Sequence, residues 1–115
     1  MKSYLGDDGI WYTAAQRHAV DVQLQGCIER GEYVPKKVCS KCGQDKGIIH
    51  FHHKNYSHPF AFMVELCWRC HLILHLAHRF PEQAAAYDAQ IAAGVKFPPV
   101  FSHDIKQLRE HGIEV

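Results

Sequence analysis

Four cysteines stand in two C-x-x-C pairs, Cys39/Cys42 and Cys67/Cys70. One such turn directs two sulfurs at a single ion, and two turns supply the four thiolates of a closed tetrahedral zinc site. With no coordination position left for water, that zinc is structural. The alternative, four ordinary buried cysteines, seldom produces paired C-x-x-C turns. In a chain of 115 residues the core is modest, and a zinc site of this kind decides whether the protein folds.

Histidines are threaded through the same frame. His52 and His53 lie between the two pairs, and His71 and His75 follow the second. On a helix, His71 and His75 sit one turn apart, the spacing at which two imidazoles grip one ion. At a strand end, neighbours point to opposite faces, so of His52 and His53 one can hold a metal while the other faces substrate. Such a site keeps positions open for water and phosphate, as a catalytic metal requires. A neutral imidazole is a competent base near pH 7, and a cation neutralises charge developing on phosphate. The plainer reading is that these histidines pack at a surface or bond to carbonyls. His50 reads as a supporting or packing residue, and His18, His78, His103 and His111 as background.

The elements that must position these groups follow from pattern and punctuation. Residues 1–12 read as an irregular arm carrying Tyr4, Trp11 and Tyr12. Thr13 is placed to cap a helix running to Arg30, with Ala15, Ala19, Val22 and Ile28 at helical spacing beside Val20, Leu24 and Cys27, and Gly31 stops it. Cys27 reads as a buried small hydrophobe. The runs 48–53 and 60–66 are β-prone and, with turn residues between them, form a hairpin. A helix from Trp68 carries His71, His75 and His78 on one face, with Leu72, Ile73 and Leu76 available for packing. Pro81 ends or bends it. A short helix from Glu82 to Ala93, closed by Gly94, and a last helix capped by Ser102 and reaching His111 complete the order.

The segment C-x-x-C…HFHH…C-x-x-C-H-x-x-x-H, Cys39 to His75, resembles the HNH, or ββα-metal, nuclease family. It is most similar to the small zinc-stabilised members common in bacteriophage and prophage genomes, and HHKNYSHP before the second cysteine pair resembles a signature of one phage subgroup. The resemblance covers about a third of the chain strongly and stops near Arg79. It implies an α+β fold: a small treble-clef zinc finger with a ββα-metal core, flanked by N- and C-terminal helices. It further implies that His53 is the general base, and that His52, His71 and His75 hold one divalent cation (magnesium, manganese, nickel or zinc) beside the structural zinc. The middle asparagine of the family's motif has no counterpart before the second pair, where Phe62 or Met63 stands. Asn55 either replaces it or serves as a turn former. Lys54, Tyr56 and Arg69 are candidate contacts to phosphate or base.

Length and composition suit one domain, divided as an arm and helix (1–37), a zinc-stabilised core (38–80) and a helical extension (81–115). A net charge of +1 argues against broad, nonspecific nucleic-acid binding. The absence of an apolar signal core and of a membrane span points to a cytoplasmic protein, in a bacterial host if the phage likeness holds. Two functions are expected from these residues. The first is a metal-dependent DNA endonuclease hydrolysing phosphodiester bonds. The second is a non-catalytic zinc module that binds nucleic acid or a host protein. A protein partner or a homodimer fits either.

Overall fold

The computed structural model describes residues 3–5, 10–53 and 63–115. The chain groups into two compact units: Met1–Lys36 with Phe51–Val64, and Lys37–His50 with Glu65–Val115. These units interleave along the sequence. The architecture is mixed α and β.

In the first unit, β1 (Ser3–Leu5) pairs antiparallel with β2 (Trp11–Thr13), in the register Ser3↔Thr13, Tyr4↔Tyr12, Leu5↔Trp11. The expected irregular arm is therefore a strand pair. Tyr4, Leu5, Trp11 and Tyr12 are aromatic or apolar, and Tyr12 buries its ring. Thr13 ends β2 and caps α1 (Ala14–Glu29). Its Oγ1 accepts the Gln16 N–H at 3.1 Å, and Gln16 Oε1 accepts the Thr13 N–H at 2.7 Å. This reciprocal box satisfies two otherwise unpaired donors and stabilises the helix by roughly 1 kcal/mol. Gly31, at φ 72°, follows the helix end.

The buried ridge of α1 is Val20 and Leu24, one turn apart. Ala15 and Ala19, expected on the apolar side, are exposed, and Val22 is 58% exposed. The helix therefore turns the Val20–Leu24 line inward, with Arg17, Cys27 and Ile28 half-buried along its edges. Cys27 is thus at the margin rather than in the core, its sulfur 3.7 Å from Arg30 Nη2.

A second two-stranded sheet pairs β3 (Ile49–His53) with β4 (Met63–Cys67). Both strands were expected, though residues 60–62 of the second lie outside the described residues. The chain passes from the second unit to the first within β3 and returns within β4.

In the second unit, α2 (Trp68–Leu76) begins at Cys67, whose sulfur accepts the Cys70 N–H. The helix stops five residues before Pro81, so His78 leaves the expected histidine face. The cause is local: Ala77 N–H bonds to Leu74 O, and Arg79 N–H to Leu76 O, the i→i−3 pattern of a tightened last turn. Of the apolar trio, Ile73 is buried while Leu72 and Leu76 are half-buried. Pro81 is the first residue of α3 (Pro81–Ala92), a position where its missing N–H costs nothing. Gly94 follows that helix at φ 90°.

The last expected helix is a 3-10 helix confined to Lys106–His111, and Ser102 does not cap it. Asp104 Oδ1 instead accepts the Lys106 N–H at 2.9 Å. The helices α2 and α3 and this 3-10 helix pack on one another. Leu66, Ile73, Ala84, Tyr87, Leu108 and Ile113 are the buried apolar side chains of the unit.

Residues 96–104 run past the first cysteine turn as a strap. Lys96 Nζ donates to Cys42 O at 3.1 Å, Gln44 Nε2 to Phe97 O at 3.2 Å, and Ile48 N–H to Val100 O at 2.8 Å. Gly47 makes this approach possible. It adopts φ 73°, and a Cβ there would lie 2.4 Å from Val100 O, so glycine is required on both counts.

Candidate metal centre

The sulfurs of Cys39, Cys42, Cys67 and Cys70 all lie within 4.8 Å of one another. Cys42 Sγ and Cys67 Sγ are 3.7 Å apart, against about 3.8 Å for the edge of a tetrahedral thiolate site. The two turns that supply them are built alike. Cys42 N–H points at Cys39 Sγ and Cys70 N–H at Cys67 Sγ, each at 3.5 Å. Gly43, at φ 80°, returns its N–H to Cys39 O at 2.9 Å and completes the first turn. Backbone N–H groups directed at sulfur favour the thiolate, the form a metal binds. The four cysteines therefore form a cluster able to hold one metal ion.

The protons in the cluster point the same way. Hydrogen bonds from the Cys67 and Cys70 thiols hold Cys39 far below the usual thiol range. The same contact with Cys39 is the chief reason Cys67 is pushed up to about 12. Cys70 is pushed up further by its hydrogen bonds to Cys39 and Cys67 and by burial. Four crowded sulfurs cannot all be anionic without a compensating charge. A bound cation would supply it.

Tyr87 on α3 completes the surroundings. Its hydroxyl is 2.9 Å from Cys70 Sγ, and its pKa is raised first by burial and then by that bond. Its ring stacks on Phe97 at 5.4 Å, and His111 stands edge-on to both rings at 4.8 Å.

A second cluster of the same unit is made of imidazoles. His71 and His75 face each other with Nε2 atoms 2.7 Å apart. The other nitrogen of His71, Nδ1, is 3.3 Å from His50 Nδ1, and His50 Nε2 is 3.3 Å from His103 Nε2. Trp68 lies edge-on to His50 and His103, with centroids 5.0 and 4.8 Å away. Burial, and then the neighbouring His103, lower the pKa of His50.

His52 and His53 are 2% and 1% exposed. In the first unit His53 Nε2 is 3.9 Å from Asp21 Oδ1 on α1. Arg69, expected to meet substrate, is buried. Its Nη1 contacts Gln107 O at 3.4 Å, Glu110 Oε2 at 3.1 Å and His111 Nε2 at 2.8 Å, and its guanidinium lies over Phe97. That network ties α2 to the C-terminal segment. Lys54, Asn55 and Tyr56 lie outside the described residues.

Sequence reasoning missed three contributors: Tyr87, His103 and His111. Tyr87 carried a weak signal, being the one aromatic residue of an alanine-rich helix and having a polar tip that seeks a partner when buried. His103 and His111 carried none, since their partners lie far away along the chain.

Comparison of the chain with protein-family models, with curated proteins and with solved structures gave no match. Among the described residues no helix is long and apolar enough to cross a membrane.

Proposed function

We propose that this protein is a metal-dependent DNA endonuclease of the HNH type, built on a treble-clef frame whose four cysteines hold zinc. The observation that carries the reading is the His71–His75 pair, with Nε2 atoms 2.7 Å apart, on a helix whose first turn also supplies Cys70 to the thiolate cluster. Two facing imidazole nitrogens on a helix anchored by a structural metal are suited to a second divalent cation. The family resemblance adds His52 as a third ligand. When bound, that cation supplies charge neutralisation at the scissile phosphate.

The remaining chemistry belongs to the chain. His53 takes the proton of the attacking water as general base. The Asp21 carboxylate, 3.9 Å away, steadies the imidazolium that results.

The test is nicking of supercoiled plasmid in magnesium, manganese, nickel or EDTA. Wild type should nick with a divalent ion and not in EDTA. His53→Ala should remove cleavage while keeping the thiolate-bound metal. Cleavage surviving in that variant would overturn the assignment of the base.

A second reading is favoured by the burial of His53 and Arg69: a non-catalytic zinc module that binds nucleic acid or a protein. It requires one tightly held metal and no second cation. Folded protein holding one zinc, without cleavage in any metal, would establish it over the first.

A further inference from the structure

Four imidazoles of the second unit form an unbroken series through their ring nitrogens: His75 Nε2 to His71 Nε2, His71 Nδ1 to His50 Nδ1, and His50 Nε2 to His103 Nε2, at 2.7, 3.3 and 3.3 Å. A neutral imidazole has one N–H and one lone pair, so each contact needs a donor on one side and an acceptor on the other. The choice made at one end therefore propagates to the other. Only two consistent arrangements of protons exist.

We infer that His50 and His103 are positioning residues for a cation held by His71 and His75, with the C-terminal strap serving to deliver His103. The inference rests on the proposed second metal site. A cation between the two facing Nε2 atoms needs both lone pairs. His71 must then carry its proton on Nδ1 and donate to His50 Nδ1. His50 in turn carries its proton on Nε2 and donates to His103 Nε2, which leaves His103 with its proton on Nδ1. With His75 carrying its own proton on Nδ1, the direction of donation from His71 through His50 to His103 is selected, and the His71 ring is fixed in orientation and tautomer. Metal-bound histidines ordinarily obtain this support from a carboxylate or carbonyl. Here a histidine pair provides it.

The strap is built to hold that pair. Ile48 N–H, two residues before His50, anchors Val100 O at 2.8 Å. Trp68 Nε1 donates to Asp104 O at 3.4 Å, immediately after His103, while the same indole lies edge-on to both imidazoles. Backbone on each side of His103 is thus tied to the elements that carry His50 and His71.

The experiment is calorimetric titration of the zinc-loaded full chain with nickel(II). Wild type should bind nickel and His71→Ala should not. His50→Leu and His103→Leu should each weaken nickel binding about 10- to 100-fold with the thiolate-bound zinc retained. His50→Gln and His103→Gln, whose Oε1 can accept the required hydrogen bond, should recover most of the affinity. If the leucine variants bind like wild type, or glutamine is no better than leucine, the inference falls while the loss in His71→Ala keeps the second site standing. Wild type that binds no nickel overturns both. Imidazole ¹⁵N–¹H correlations of the cadmium-loaded protein give a check that needs no variant. Protons on His71 Nδ1 and His50 Nε2 support the inference, and the reverse tautomers refute it.

Discussion

The hydroxyl of Tyr87 stands 2.9 Å from the sulfur of Cys70, so a residue of α3 reaches into the thiolate cluster formed by the two C-x-x-C turns. A hydroxyl donating to a thiolate withdraws charge from the sulfur and holds it against protonation by solvent. Replacing Tyr87 by Phe removes that donor while keeping the stack on Phe97. The variant should fold, and should lose its metal to a chromogenic chelator about tenfold faster or more. Release at the wild-type rate would show that the bond does not stabilise the site.

Metal removal tests the cluster itself. The second unit has few buried apolar side chains, so chelation should abolish its cooperative unfolding transition. Reloading near pH 7 should release the protons held by Cys67 and Cys70, both pushed up in the metal-free cluster. Calorimetry in buffers of different ionisation enthalpy measures that release. A native-like melting curve in chelator would contradict a structural metal.

Gly47 and Gly31 share a positive φ, at 73° and 72°, but differ in surroundings. Alanine at Gly31 meets nothing within 4 Å and should cost only the backbone penalty, about 1 kcal/mol. Alanine at Gly47 adds a clash with the Val100 carbonyl and should cost more than about 2 kcal/mol. It should also release the strap, seen as faster amide exchange at Ile48. Equal effects in a denaturant titration would mean that the close approach of the strap does not matter.

Acid should destabilise the second unit through His111. Its pKa is lowered, first by burial and then by the Arg69 guanidinium, with Glu110 opposing. The neutral ring accepts from Arg69 Nη1 at 2.8 Å. A histidine with a depressed folded pKa contributes stability above its unfolded pKa, about 6.5, and loses that contribution as pH falls through the folded value. Melting temperature should therefore drop as pH falls below about 6.5. His111→Gln should flatten that slope, since its amide oxygen accepts from Arg69 at any pH. An unchanged slope would place the acid sensitivity elsewhere.

Local chemistry carried much of the fold into the sequence. Thr13 with Gln16, Gly31, Pro81 and Gly94 act within one turn of their own position, and the ends of α1 and α3 could be read to within a residue or so. The misreadings arose where distant partners decide. Val22 and Val20 are equally apolar, and only packing chose which one faces inward. The end of the helix from Trp68 before His78 is a local exception, set by a tightened turn at Ala77 that no residue type marks. Ser102 looked like a cap, yet the strap's bonds to Gln44, Ile48 and Trp68 hold that stretch outside a helix.

The candidate site divides along the same line. Spacing alone determined that Cys39 and Cys42, and Cys67 and Cys70, would each present two sulfurs from one turn, and that His71 and His75 would share a helix face. These are constraints of a few bonds, and chain geometry enforces them wherever the segment goes. Only the tertiary structure decided that the two cysteine turns converge, that the Tyr87 hydroxyl meets the Cys70 sulfur, that Arg69 is spent on His111 and Glu110, and that His103 meets His50. Those contacts join residues 17 to 53 positions apart, where no local rule operates and the packing of α2, α3 and the strap sets each distance.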